Sequence, residues 1–147
     1  MSTQTFWLVF RSSPNVLGRY VLKREFGHIL VIGRDDFNWY QVDPTVAQLK
    51  FKIMPYYTDR NVPSEIRDKY GWRVVKIERE IRPLEHVNKK AFRMLLPTIG
   101  SCVKVVKYIV GIPYFKGLTP YGLYKNLIDL DPESWKDYDI VSIEEVR

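Results

Sequence analysis

The chain has 147 residues, enough for one ordinary domain and too few for a second independent core. Its 46% hydrophobic content suits a folded chain, one cysteine excludes an internal disulfide framework, and two histidines with one cysteine fall short of an ordinary structural zinc site. The net charge of +6 is unevenly placed: residues 1–126 carry a net +11 and residues 127–147 a net −5, so a basic body precedes an acidic C-terminal end.

No apolar run approaches the roughly 18 residues of a membrane span. The segment before Phe6-Trp7-Leu8-Val9-Phe10 carries no positive charge, and Arg11 closes that apolar run early, so it reads as a strand and not as a signal peptide. The expected setting is therefore cytoplasmic, or a route without a signal. Ser12 to Asn15 reads as a turn, and Val16 to Lys23 fits either a short helix or a strand. His28 to Ile32 is a strand by its β-branched content, Gly33 to Asn38 a turn, and Trp39 to Asp43 a further strand stopped by Pro44. Leu49-Lys50-Phe51-Lys52-Ile53 alternates, which predicts a strand with one wet face.

Pro63-Ser64-Glu65 opens a helical turn that runs through Lys69. Trp72 to Ile81 alternates again as a strand. Leu84, Val87, Ala91, Met94 and Leu95 follow helical spacing up to Pro97. Gly100-Ser101 precedes a helix over Cys102 to Val110, ended by Gly111 and Pro113. Thr119-Pro120 is an N-cap and first-turn pair for a helix to about Leu127. Residues 131–147 read as an acidic tail after a single domain over 1–130, with a last strand at Ile140 to Ile143. Strands first and helices last predict an α+β fold with an antiparallel sheet packed against the cysteine-bearing helix.

Phosphate loops, metal-ligand spacings and serine elbows are missing from the sequence, and no cofactor is expected. The chemistry then falls to Cys102. At a helix N-terminus, with Ser101 as N-cap, free N–H groups and the helix dipole favour a thiolate and lower its pKa. The same N–H groups can hold an oxyanion. Val105, Val106 and Ile109 are expected to face the sheet, with Lys104 and Lys107 pointing elsewhere. For a base, His28 opens a strand. A turn centred on Asp35-Asp36 would set His28 opposite Asp43, Leu30 opposite Gln41 and Ile32 opposite Trp39, an imidazole facing a carboxylate as thiol hydrolases require. Gln41 is the alternative orienting group. His86, the competing base, projects away from the apolar face of Leu84, Val87 and Ala91 on its predicted helix and is expected to be exposed.

Gly100-Ser101-Cys102-Val103-Lys104-Val105-Val106-Lys107-Tyr108-Ile109-Val110-Gly111-Ile112, then Leu118-Thr119-Pro120-Tyr121-Gly122-Leu123-Tyr124-Lys125-Asn126-Leu127, is similar to small phage and prophage proteins in which a cysteine-headed helix is followed by a Thr-Pro-x-x-Leu-Tyr helix. Phe26-Gly27-His28 and Trp39-Tyr40-Gln41-Val42-Asp43-Pro44 look like their His and Val-Asp-Pro strands. The set, over roughly residues 5–127, resembles the circularly permuted branch of the NlpC-type, papain-like hydrolases. That resemblance implies a permuted papain-like topology, Cys102 as nucleophile, His28 as base and Asp43 as orienting residue. It implies a peptide or peptidoglycan-like substrate and a place in the host cytoplasm or a phage virion. The alternatives are an inactive relative that binds a phage structural or host protein, and, with least weight, nucleic-acid binding through Lys50, Lys52, Arg67, Lys69, Arg73, Lys76 and Arg79, with Tyr56, Tyr57 and Trp72 for stacking.

Overall fold

A computed structural model describes residues 2–13, 23–45, 48–54, 59–81 and 102–147. Six strands form one antiparallel sheet: β1 (Thr3–Arg11), β2 (His28–Arg34), β3 (Trp39–Pro44), β4 (Leu49–Met54), β5 (Arg73–Glu80) and β6 (Ile140–Glu145), in the order β4-β3-β2-β1-β5-β6. Three α-helices, α1 (Val62–Tyr70), α2 (Cys102–Val110) and α3 (Pro120–Ile128), and a 3-10 helix (Pro132–Tyr138) complete the described elements. The architecture is α+β. The expected helix over 84–95, the caps at Gly100 and Ser101, His86, Tyr56, Tyr57 and the turn at Pro14 lie outside the described residues.

The unbroken apolar run of β1 has a positional cause. β1 lies between β2 and β5, so Leu8, Val9 and Phe10 are fully buried on alternating faces. One face carries Phe6, Leu8, Phe10, Ile29, Val31, Val42, Val75 and Ile77, and it packs against Val103, Val106 and Val110 of α2 and Leu123 and Leu127 of α3. The other carries Val9, Leu30, Ile32, Trp39 and Val74, packed against Val62 of α1. Asn61 caps α1 by accepting from the Ser64 N–H, and Gly71 ends it in the left-handed conformation (φ 65°). Thr119 caps α3, its hydroxyl accepting from the Gly122 N–H at 3.1 Å, with Pro120 in the first turn.

Three expectations change. The β2–β3 register pairs Ile32 with Gln41 and Arg34 with Trp39, two residues away from the expected alignment. Asp35 is the reason. Its Oδ1 accepts from the N–H groups of Phe37 and Asn38, so the turn centres on Asp36-Phe37. The buried stripe of α2 is Val103, Val106, Lys107 and Val110, so Lys107 is inside; its ammonium donates to the Phe115 carbonyl at 2.6 Å. β4 has two wet faces: Leu49, Phe51 and Ile53 are as exposed as the lysines between them. The acidic stretch 131–147 is built into the molecule, since β6 pairs with β5 and Trp135 and Tyr138 pack on the core.

Candidate functional site

The His28 imidazole and the Asp43 carboxylate are both buried, and Nε2 of the ring lies 2.6 Å from Oδ1. The other carboxylate oxygen accepts from the Arg11 guanidinium at 3.2 Å. Arg11 is the cross-strand partner of His28 on β1, so the three side chains form a row across β1, β2 and β3 at one end of the sheet. By strand alternation that row continues the face of Val9, Leu30, Ile32 and Trp39. Trp72 covers it from the side, with the Arg11 guanidinium 5.5 Å from its ring centre. The Asp43 carboxylate is held from two sides, by the Arg11 guanidinium at one oxygen and the imidazole at the other, and so it orients the ring through Nε2. Nδ1 is then the ring nitrogen that Asp43 does not engage.

The chain around His28 is tightly set. The Gly27 N–H donates to the Arg11 carbonyl at 2.9 Å, and a Cβ at Gly27 would sit 2.3 Å from the Ser13 nitrogen. Only glycine tolerates that approach. Phe26 packs between Tyr121 and Tyr124 of α3 and Phe10 of β1, with the Tyr124 ring 4.7 Å away. The Thr-Pro-x-x-Leu-Tyr helix thus clamps the residues that lead into the histidine strand.

Cys102, partly buried, arrives at this corner from the opposite face, at the start of α2, which packs on β2 and β3. The β2–β3 ladder has ended at Val31–Val42 by that point. The N–H groups of Ile29, Val103 and Cys102 itself favour the thiolate, and the Asp43 charge is close enough to oppose it. Burial outweighs the N–H groups and pushes the thiol above its ordinary 9.0. The depressed thiol pKa expected from the helix N-terminus is therefore reversed. Among the described residues, no hydrogen bond joins the Cys102 sulfur to the His28 ring.

Gln41 lies on β3 opposite Ile32 and Lys52, two residues from Asp43, while the imidazole is bonded to Asp43. Arg11 is the member that sequence reading missed; its only signal was a charge closing an apolar strand. Much of the basic set has internal work. Arg67 pairs with Asp68, Arg73 with Glu145, and Lys76 with Glu78. Arg79 donates to the carbonyls of Val110 and Tyr138. No helix among the described residues is long and apolar enough to cross a membrane, and no group of ligating side chains there could hold a metal. Comparison with known protein families, curated proteins and solved structures returns no match.

Proposed function

We propose that the chain is a thiol hydrolase of permuted papain-like topology that cleaves an amide bond, with a cell-wall peptide in a phage or prophage setting as its substrate class. The observation that carries this reading is one juxtaposition. The Ile29 N–H is close enough to the Cys102 sulfur to favour its thiolate, and the residue before Ile29 is His28, bonded to Asp43 at 2.6 Å. A raised thiol pKa makes the resting nucleophile a neutral S–H. In this reading the proton passes from sulfur to His28 Nδ1 around the end of the sheet, where the β2–β3 ladder has stopped, as the sulfur attacks the carbonyl carbon, with Asp43 holding the imidazolium. The helix N-terminal N–H groups receive the oxyanion. Collapse breaks the C–N bond, His28 returns the proton to the leaving amine, and water hydrolyses the thioester.

The test is acylation by p-nitrophenyl acetate followed by intact mass. Acetyl transfer to the wild-type protein is expected, lost in Cys102→Ala and slowed at least tenfold in His28→Ala, in keeping with the size of general-base effects, roughly a hundredfold or more. Equal acylation of wild type and His28→Ala ends the hydrolase reading. The raised thiol pKa and the missing sulfur–imidazole bond support a second reading: the row Arg11-His28-Asp43 is a structural clip, and the fold serves virion assembly or binding to a host protein. Under that reading Cys102→Ala is silent in whatever phenotype the protein supports. Nucleic-acid binding is the weakest reading, because several of its basic candidates are already paired.

A further inference from the structure

At one edge of the sheet, β4 exposes three large apolar side chains in a row, Leu49 at 59%, Phe51 at 61% and Ile53 at 56%. Lys50 and Lys52 alternate with them on the opposite face. An exposed apolar edge strand is a template for pairing with another chain. Among the described residues no strand lies beyond β4, and none beyond β6 at the other edge. β6 carries Ile143 on the face of Ile77, and Ser142 and Glu144 on the other face, opposite Glu78 and Lys76.

We infer that the β4 edge of one molecule accepts the β6 edge of a second copy, extending the sheet head to tail. Three features fit. The strands are antiparallel at each step from β4 to β6, so placing one sheet beside the next in the same orientation makes the β4–β6 contact antiparallel too. The faces match: Phe51, which pairs with the core residue Val42, continues the same face as Ile143, which pairs with the core residue Ile77. The charges match as well. Setting Phe51 opposite Ile143 sets Lys50 opposite Glu144 and Lys52 opposite Ser142. Pairing β4 with a second β4 would instead oppose lysine to lysine across the seam, which costs stability. A head-to-tail contact leaves a free edge at each end, so association continues beyond a dimer into an open series or a ring.

Sedimentation velocity at rising protein concentration tests this. The wild type is expected to form a concentration-dependent series that weakens as salt is raised. Lys50→Glu/Lys52→Glu and Glu144→Lys are each expected to remain monomeric alone, and an equimolar mixture is expected to associate again, because each variant then meets a complementary edge on the other. Circular dichroism of each variant, unchanged from wild type, separates a lost contact from a lost fold; should Lys50→Glu/Lys52→Glu misfold, Lys50→Gln/Lys52→Gln takes its place and is expected to weaken association. A wild type that stays monomeric at every concentration overturns the inference. So do folded variants that associate as wild type does, and a mixture that stays monomeric.

Discussion

His28 and Asp43 are bonded without being register partners. Carried one step past its last pair, Val31 with Val42, the ladder would set Asp43 against Leu30, so the imidazole reaches diagonally past one strand position to make its 2.6 Å contact. A diagonal contact keeps both side chains on one face of the sheet. The turn shift therefore left the pair intact, because it moved the strands by two residues and not by one.

Asp43 opposes ionisation of the thiol, so removing its charge changes two things in opposite senses. Asp43→Asn is expected to move the Cys102 titration downward, toward its ordinary value, while lowering acylation through the misplaced imidazole. The pH dependence of iodoacetamide labelling reads the first and acetyl transfer reads the second. An unchanged labelling profile would separate Asp43 electrostatically from the thiol.

Labelling of the wild type is expected to be slower than that of a free thiol at neutral pH, with a midpoint above 9.0. The same shift links to stability. Just above pH 9.0 the folded state holds a proton that the unfolded thiol has released, so stability falls as pH rises through that window. Lys107 acts in the opposite sense: burial depresses its pKa below 10.5, so stability rises as the unfolded lysine alone remains protonated. Comparing Cys102→Ala with wild type in urea across the alkaline range isolates the thiol, and the variant is expected to lack that component of the decline.

Gly27→Ala is expected to cost about 1–3 kcal/mol, the usual range for forcing an extra methyl into a packed site. The new Cβ meets backbone at Ser13, which cannot swing aside like a side-chain end. Urea denaturation measures the loss. A neutral result would mean that the Ser13 backbone gives way to the new methyl.

Arg79 ties the end of α2 to the 3-10 helix, donating to the Val110 carbonyl at 2.7 Å and the Tyr138 carbonyl at 3.2 Å. Arg79→Met is expected to lose about 1.5–3 kcal/mol, the worth of hydrogen bonds from a charged donor. Arg79→Lys cannot span both carbonyls and should recover only part of it.

The strands were legible because their side chains alternate or are β-branched, and α2 because its apolar spacing runs cleanly from Cys102 to Val110. The β2–β3 register was not, because the decisive bonds belong to one side chain, Asp35, inside the turn. His28, Asp43 and Cys102 could be singled out as residue types. Their protonation could not, because it depends on how deeply α2 sinks Cys102 against the sheet. Arg11 and Lys107 were obscured for a related reason: a charge inside a fold is recognisable only once its partner's position is known.

Among the described strands β6 comes last in sequence, and its Ser142 bonds Glu78 from 64 residues away. A ribosome adding roughly 5–20 residues per second needs several seconds to bring it out after β5. Throughout that interval the nascent sheet presents β5 as an open border, with Ile77 lacking its cross-strand partner Ile143. Closure of the sheet is thus postponed until the residues between β5 and β6 have been made. Premature termination between Glu80 and Ile140 would release a chain whose sheet ends at β5, with Ile77 uncovered at the rim where β6 belongs.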